Sequence, residues 1–153
     1  ARFAIEVARA TAAKVGPGRV GIRISPYGVF NGSAPDDQMD ELYLYLAKEL
    51  GTIGLAYIHM VDHSSMGAPP VSDQLKKDVK EAFGGTFILS GGYDADRAEA
   101  DLSQDKGDLV AFGRPFISNP RLVSAFESGA PLKDADQTTF YTPGPEGYTD
   151  YPV

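Results

Sequence analysis

Four short apolar segments, each followed by a helical pattern, constrain the fold of this chain more than any other feature. They are residues 19–24, 55–61, 86–90 and 108–112. Each is rich in β-branched or aromatic residues, which predicts a strand, and the mostly continuous apolar pattern is typical of strands covered on both faces. Because a helical segment lies between each strand and the next, adjacent strands of the sheet are expected to be parallel. The sequence therefore predicts an α/β fold built from four βα units.

Capping residues and glycines mark the ends of the three helices between these strands. The pattern over residues 36–50 predicts the first helix, and Gly51 is predicted to end it. Ser72 can cap the second helix, which is predicted to run to Phe83 and to stop at the glycines that follow. Asp94 can cap the third helix in the same way. All three connections are therefore expected to be short and local.

The two ends of the chain carry weaker patterns. Residues 1–14 predict a helix with Phe3, Val7 and Ala10 on one side. Asn119, which precedes a proline, is predicted to cap the helix after the fourth strand. From about residue 130 the periodicity is lost, and the aromatic residues of this tail are expected to pack as a cap: Phe140, Tyr141, Tyr148 and Tyr151.

The number of βα units distinguishes two architectures. A closed (β/α)₈ barrel has eight units and takes about 250 residues, so four units predict the C-terminal (β/α)₄ half of a TIM barrel. A doubly wound open sheet is the alternative, but the Gly-x-Gly-x-x-Gly signature of dinucleotide-binding folds does not follow the first strand. We expect residues 1–153 to form a single unit, with the tail included.

Composition excludes several classes of function. The chain has 14 Lys and Arg against 21 Asp and Glu, and its net charge of −7 argues against a nucleic-acid partner. No apolar run approaches the roughly 20 residues that cross a membrane, and no export signal precedes the first helix. With no Cys and two His, no metal site is expected. A cytoplasmic location is the prediction that follows.

Two loops at the ends of neighbouring strands have the composition of an anion site. Ser90, Gly91 and Gly92 follow the third strand, and Gly113 and Arg114 follow the fourth. Glycines allow backbone amides to approach an anion, a helix N-terminus adds its dipole, and an arginine adds a forked cation. The pair of loops therefore predicts a phosphate site. The alternative is that the glycines only form a tight turn before each helix and bind no ligand.

Arg23 is a charged residue within an apolar strand, where an unpaired charge is costly to bury. One interpretation is an internal ion pair with a carboxylate such as Asp62. The other is a cation that faces the electron-rich edge of a ligand ring and stabilises developing negative charge. His59 and Asp62 are three residues apart, so on a strand they point to opposite faces and cannot form a simple catalytic couple. His59 is expected instead to be a hydrogen-bonded core histidine.

Four segments in order resemble the C-terminal half of the old yellow enzyme family, the FMN-dependent NAD(P)H ene-reductases that include proteins like N-ethylmaleimide reductase. These segments are Val20-Gly-Ile-Arg-Ile-Ser-Pro-Tyr-Gly28, Ile88-Leu-Ser-Gly-Gly-Tyr93, Asp108-Leu-Val-Ala-Phe-Gly-Arg-Pro-Phe-Ile-Ser-Asn-Pro120 and Gly147-Tyr-Thr-Asp-Tyr-Pro152. The resemblance implies a flavoprotein oxidoreductase on a (β/α)₈ barrel. It also implies FMN and NAD(P)H as cofactors, and as substrates small alkenes activated by a carbonyl or nitro group.

Individual residues match the family's cofactor contacts. Arg23 resembles the arginine that faces the pyrimidine edge of FMN and stabilises reduced flavin. The loop at Gly91 and Gly92 resembles the phosphate loop after strand seven, and Gly113 with Arg114 resembles the loop after strand eight. In the tail, Tyr148 resembles an aromatic residue that overhangs the substrate pocket.

The family's substrate-anchoring and proton-donating residues belong to the first half of the barrel, so no catalytic residue is assigned in this chain. The expected function is a contribution of the FMN phosphate site to an assembled ene-reductase, with this chain inactive alone. The expected partner is an N-terminal half-barrel fragment or a second copy of the chain. A non-catalytic half-barrel that binds FMN or a partner chain is the alternative.

Overall fold

A four-stranded parallel sheet forms the centre of the chain. A computed structural model describes residues 1–152 and leaves Val153, the last residue of the predicted unit, outside the described residues. The strands are β1 (Gly21–Ile24), β2 (Tyr57–Val61), β3 (Thr86–Ser90) and β4 (Leu109–Ala111). Their order in the sheet is their order in the sequence, and each neighbouring pair is parallel. The predicted α/β fold of four βα units is therefore confirmed.

Helices precede, connect and follow these strands. The α-helices are α1 (Arg2–Val15), α2 (Met39–Ile53), α3 (Asp73–Phe83), α4 (Ala95–Ser103), α5 (Arg114–Ser118) and α6 (Leu122–Ser128). Short 3₁₀ helices lie at Pro17–Arg19, Phe30–Gly32, His63–Met66 and Gln137–Thr139.

Two helix starts agree with the sequence analysis. The Ser72 hydroxyl accepts a hydrogen bond of 3.1 Å from the Leu75 N–H, and α3 ends at Phe83 as predicted. The Asp94 carboxylate accepts one of 2.8 Å from the Arg97 N–H at the start of α4. Both side chains satisfy an N–H group that has no partner within its helix, so both cap predictions are confirmed.

The end of α2 was predicted wrongly. The helix continues through Gly51 to Ile53 and ends at Gly54, which has a φ of 79°. A Cβ on Gly51 would lie 2.3 Å from the Phe83 carbonyl oxygen. Gly51 therefore serves the close approach of α2 to the end of α3, while Gly54 supplies the left-handed residue that ends the helix.

The start of the helix after β4 was also predicted wrongly. Asn119 ends α5 instead of beginning α6, and the N-cap of α6 is Arg121, which makes no side-chain cap. The Asn119 amide donates to the Lys133 carbonyl at 2.9 Å, and its oxygen accepts from the Lys133 N–H at 2.9 Å. The side chain binds both backbone groups of Lys133 and is not free to cap a helix.

The buried side of α1 differs from the predicted one. Ile5, Ala8 and Ala12 are buried, while Phe3 is 81% exposed and Val7 is 49% exposed. The side of α1 that is buried is explained by its contacts with α2, because small alanine side chains allow two helices to approach closely. Phe3 and Val7 are therefore left on its outer surface.

The core lies on one face of the sheet. Ile58, Met60, Phe87 and Leu89 alternate along β2 and β3 and are almost completely buried. The residues between them point to the opposite face, which we call the open face. It carries Arg23, Tyr57, His59, Thr86, Ile88, Ser90, Leu109 and Ala111. Arg23, Tyr57, Thr86 and Leu109 are exposed, so the first part of the chain, residues 1–111, does not itself provide the cover that was predicted for this face.

Contacts group the chain into two compact units, Ala1–Ala111 and Phe112–Val153. The first holds the sheet and α1 to α4, and the second holds α5, α6 and the tail. Within the second unit, the rings of Phe112 and Phe126 lie 5.0 Å apart, and the Ser118 hydroxyl donates to the Lys133 carbonyl at 2.6 Å. A single unit over residues 1–153 stays a prediction.

Candidate functional site

A row of side chains crosses the open face of the sheet in the first unit. The parallel register pairs Arg23 with His59, His59 with Ile88, and Ile88 with Leu109. Laterally paired residues of a parallel sheet point to the same side, so Arg23 and His59 are neighbours on the open face. The row places one cation on a surface that is otherwise mostly apolar.

Arg23 has a free guanidinium group in the described part of the chain. The residue is exposed and makes no side-chain hydrogen bond or ion pair within residues 1–152. Asp62, the carboxylate proposed as its partner, is bound instead to Lys76, whose Nζ lies 2.9 Å from Asp62 Oδ2. The ion-pair interpretation with Asp62 is therefore wrong. A cation on the open face is left available to an anionic or electron-rich group.

His59 links the row to the loop after β3. Its Nε2 lies 2.9 Å from the Ser90 hydroxyl, which also approaches the Met60 carbonyl at 3.4 Å. Burial lowers the pKa of His59, and the positive charge of Arg23 lowers it further. The ring is therefore neutral near pH 7. The expectation of a hydrogen-bonded histidine is confirmed, although the ring lies half-buried on the open face rather than in the core.

The loop after β3 presents unpaired backbone amides. Gly91 has a φ of 124° and Gly92 a φ of 64°, conformations that L-residues rarely adopt. Within residues 1–152, the N–H groups of Gly91, Gly92 and Tyr93 donate no hydrogen bond. These amides precede the N-terminus of α4, which begins at Ala95. Consecutive free N–H groups at a glycine turn can form an anion-binding concavity, so this loop is a candidate anion site.

Sequence reasoning missed one residue that contacts this loop, Arg97. Arg97 lies in the first turn of α4, and its Nη1 donates to the Gly91 carbonyl at 3.2 Å. Its guanidinium also lies 4.1 Å from the centre of the Tyr93 ring. The available signal was an arginine three residues after a capping aspartate, a spacing that returns a long side chain towards the preceding loop.

Gly113 and Arg114 belong to the second unit, although they follow β4 in the sequence. Gly113 is exposed, and a Cβ there would meet no atom within 4 Å. Arg114 begins α5 and lines a cavity of about 380 Å³ together with Ser118, Asn119, Lys133 and other residues of the same unit. Its guanidinium makes no ion pair within residues 1–152. The joint phosphate site of the two loops stays a prediction.

The aromatic residues of the tail do not form the predicted cap. Tyr141 is 98% exposed and Tyr148 is 81% exposed. Phe140 and Tyr151 are half-buried, and the Tyr151 hydroxyl accepts a hydrogen bond of 3.1 Å from the Asp136 N–H. The prediction of a packed cap is therefore wrong for Tyr141 and Tyr148, whose rings are exposed. The role of Tyr148 in a substrate pocket stays a prediction.

One cavity of the first unit is lined in part by Tyr93 of the loop after β3 and by none of the residues of the open face. It measures about 600 Å³ and is lined by α3 and by residues between Tyr93 and Asp108. Its three innermost lysines, Lys76, Lys80 and Lys106, are each paired with carboxylates. It contains none of the predicted site residues, so the open face and the loop after β3 are the stronger candidates for a cofactor site.

No helix within residues 1–152 has the length and apolar character needed to cross a lipid bilayer.

Comparison with known proteins gives a consistent result. A family described as NADH:flavin oxidoreductase / NADH oxidase matches residues 1–133. The 12-oxophytodienoate reductase 2 of Arabidopsis thaliana is 39% identical over 99% of this chain and 41% of its own length. The chanoclavine-I aldehyde reductase of Penicillium roqueforti is 40% identical over 99% of this chain and 42% of its own length.

Solved structures agree. Morphinone reductase is 42% identical and superposes with a TM-score of 0.92 over 99% of this chain and 40% of its own length. It has also been solved in complex with tetrahydroNAD. The structure of TcOYE with pHBA is 32% identical, with a TM-score of 0.90 over 99% of this chain and 40% of that chain. The chain thus spans about two fifths of the length of these relatives.

These matches confirm three predictions. The four βα units correspond to part of the TIM barrel of old yellow enzymes, as the half-barrel prediction requires. FMN and a nicotinamide are the cofactors of the matched family, in agreement with the expected pair. The family consists of flavoprotein oxidoreductases, which the sequence motifs had indicated. The chain belongs to the NADH:flavin oxidoreductase / NADH oxidase family, the family of the old yellow enzymes.

Proposed function

We propose that this chain supplies the FMN phosphate site and the flavin-facing arginine of an NAD(P)H-dependent ene-reductase. The observation that carries the proposal is the loop after β3, where three consecutive N–H groups are free at a glycine turn before α4. FMN, when bound, would accept hydride from NAD(P)H and deliver hydride to an alkene activated by a carbonyl or nitro group.

The phosphate contacts are assigned to two loops. Gly91 and Gly92 are proposed to donate backbone N–H bonds to the phosphate, supported by their free amides and by the dipole of α4. Gly113 and Arg114 are proposed to bind the same phosphate, as the family motif implies. Support comes from the exposed, unpaired guanidinium of Arg114 and from the open space around Gly113.

Arg23 is proposed to face the flavin ring. Its free guanidinium on the open face supports a role in stabilising negative charge that develops on the ring during reduction. Ser90 is proposed to contact the cofactor through the hydroxyl that His59 holds in place. Because His59 is neutral, Arg23 provides the positive charge of this row.

The substrate class is proposed from the relatives. Two of them are named as reductases of 12-oxophytodienoate and of chanoclavine-I aldehyde, and both names denote carbonyl compounds. We assign small alkenes conjugated to a carbonyl or nitro group to the assembled enzyme. Tyr148 is proposed to border the substrate pocket, supported by its exposed ring.

The first four βα units are proposed to come from an N-terminal half-barrel or, failing that, from a second copy of this chain. The open face and the free edges of β1 and β4 support association. A non-catalytic half-barrel that binds FMN is the second candidate, favoured by the presence of the phosphate loop within this chain. A cytoplasmic location is proposed from the absence of Cys, which fits a reducing compartment.

The test uses an assembled barrel, defined as this chain joined to the part of morphinone reductase that precedes the matched segment. The bound flavin is released by denaturation and identified by chromatography, and NADPH-dependent reduction of 2-cyclohexenone is assayed. FMN with turnover supports the reductase. FMN without turnover favours the non-catalytic candidate, while FAD or no flavin contradicts the proposal.

A further inference from the structure

The peptide between Gly91 and Gly92, in the loop after β3, has no Cβ on either of the two residues that it joins. Glycine flanks it on both sides, so neither neighbouring dihedral is restrained by a Cβ. A trans peptide is planar, with its C=O and N–H groups pointing in opposite directions. The direction of the Gly91 carbonyl therefore decides where the Gly92 N–H points.

Arg97 holds that carbonyl. Its Nη1 donates to the Gly91 oxygen at 3.2 Å, and within residues 1–152 it is the only side chain that hydrogen-bonds to the backbone of residues 91–92. Because the carbonyl points towards Arg97, the Gly92 N–H points away from it and is free. The two glycines alone would allow the peptide between them to take several orientations. The contact with Arg97 favours the one in which the Gly91 carbonyl points towards Arg97.

The Arg97 side chain is itself restrained by two groups, the Tyr93 ring and the Asp101 carboxylate. Its guanidinium stacks on Tyr93 at 4.1 Å from the ring centre, and its Nε lies 3.9 Å from Asp101. The Tyr93 hydroxyl donates to Asp101 at 2.8 Å, which joins the two partners of Arg97. Tyr93 is buried. A cation held by a ring and a carboxylate loses less side-chain freedom when it binds a carbonyl.

The other side of the loop is held by the end of β2. The Asp62 N–H donates to the Ser90 carbonyl at 2.9 Å, and a Cβ on Gly91 would lie 2.0 Å from the Asp62 carbonyl oxygen. Backbone packing therefore restrains the start of the loop, up to Gly91. The following peptide depends on Arg97.

We propose that Arg97 is a positioning residue that orients the Gly92 N–H towards the phosphate of FMN. This inference rests on the proposed function, because it assumes that the loop binds that phosphate. Arg97 itself does not touch the cofactor in this proposal. Replacing Arg97 should therefore weaken binding of the phosphate group and leave binding of the flavin ring unchanged.

Riboflavin, which has the flavin ring without the phosphate, separates these two effects. Dissociation constants of FMN and riboflavin are measured by flavin fluorescence quenching in the assembled barrel. For Arg97→Ala, we expect affinity for FMN to fall about tenfold, the effect of one hydrogen bond to a charged group, and affinity for riboflavin to stay within about twofold. Arg97→Lys, which retains a cationic donor, is expected to recover part of the FMN affinity. Arg9→Ala is the control, since Arg9 is an exposed arginine that pairs with Glu49 at 3.8 Å on a different part of the unit.

The outcomes distinguish this inference from the proposed function. Equal affinity of the unchanged barrel for FMN and riboflavin would mean that no phosphate is recognised, which overturns the proposed function. A preference for FMN that survives Arg97→Ala undiminished would overturn only the role of Arg97. A parallel loss of both affinities, or a loss equal to that of Arg9→Ala, would show a general structural effect and would also overturn that role.

Discussion

The ammonium group of Lys76 on α3 lies 2.9 Å from the carboxylate of Asp62 at the end of β2, and the two side chains are only 10% and 6% exposed. Asp62 also accepts a hydrogen bond of 3.0 Å from the Ser64 N–H. A buried charge that loses its partner is strongly destabilising. We therefore expect Lys76→Met to lower the free energy of unfolding by about 3–5 kcal/mol.

Urea denaturation of the chain at one fixed protein concentration measures this effect. Lys77→Met is the matched control, because Lys77 is the next residue of α3 and its side chain is 67% exposed. The double variant Asp62→Asn with Lys76→Met removes both charges and retains an oxygen for Ser64, so it should recover most of the loss. A cost for Lys76→Met no greater than for Lys77→Met would contradict the prediction.

The same pair predicts how stability depends on pH. Burial alone would raise the pKa of Asp62, but hydrogen bonds from Lys76 and Ser64 outweigh it and place the pKa below its usual value of 3.8. The folded state therefore binds this proton less readily than the unfolded state. The stabilisation is fully present above about pH 4 and is lost as the pH falls through the folded pKa.

Unfolding free energies measured between pH 6 and pH 3 test this dependence. The unchanged chain should lose more stability over this range than the double variant Asp62→Asn with Lys76→Met, which has no carboxylate to titrate at this position. Equal slopes for the two proteins would show that Asp62 contributes nothing to acid sensitivity.

Sequence patterns predicted the elements of the fold well where local chemistry decides them. Ser72 and Asp94 cap their helices because a side-chain oxygen at the first turn meets N–H groups that have no other partner. The prediction failed where distant contacts decide. Gly51 allows α2 to approach Phe83 instead of ending the helix, and Asn119 binds Lys133, so neither role could be inferred from the neighbouring residues.

The candidate site was predicted in a similar way. The glycines after β3 were identified because a strand, a glycine pair and a capped helix follow each other between Thr86 and Ala95. The pairing of Asp62 with Lys76 was missed, since the two lie 14 positions apart and meet only through the packing of α3. Arg97 was missed because its spacing from Asp94 indicates only that its side chain can return towards the loop, whereas the hydrogen bond to Gly91 also depends on the direction of one carbonyl.

Arg114 is expected to contribute directly to the affinity for FMN. Arg114→Ala should weaken FMN binding to the assembled barrel by about 1–3 kcal/mol, as loss of a charge-assisted hydrogen bond does, with little change for riboflavin. Isothermal titration of the flavin-free barrel with each ligand measures the difference. Arg121→Ala is the control on the same unit, and an FMN affinity equal to the control would place the phosphate elsewhere.

Arg23 is expected to act on the reduction potential of the flavin. Arg23→Met removes the cation from the open face and should lower the potential of bound FMN by about 30 mV, which corresponds to 1.4 kcal/mol for a two-electron couple. Arg19→Met, which changes an exposed arginine of the 3₁₀ helix before β1, should leave the potential unchanged. Equilibration with reference dyes measures both, and equal potentials would exclude a flavin-facing role for Arg23.

The 153-residue chain alone is expected to be neither a monomer nor an ene-reductase. The sheet order leaves β1 and β4 as edges with unpaired backbone groups, and the open face carries exposed apolar side chains such as Tyr57 at 39% and Leu109 at 53%. Association covers such edges and faces, so the purified chain should form dimers or larger species.

Self-association would cover these surfaces without restoring activity, because the proposed contribution of this chain is confined to FMN binding and charge stabilisation. Two copies would supply two phosphate loops and two copies of Arg23, but no group assigned to proton donation or substrate anchoring. Light scattering gives the mass of the purified chain, and NADPH-dependent reduction of 2-cyclohexenone with added FMN gives its activity, with the assembled barrel as the positive control. A folded monomer would contradict the argument from exposed edges. Turnover close to that of the assembled barrel would mean that catalytic residues lie within this chain, on the open face or in the loops around it.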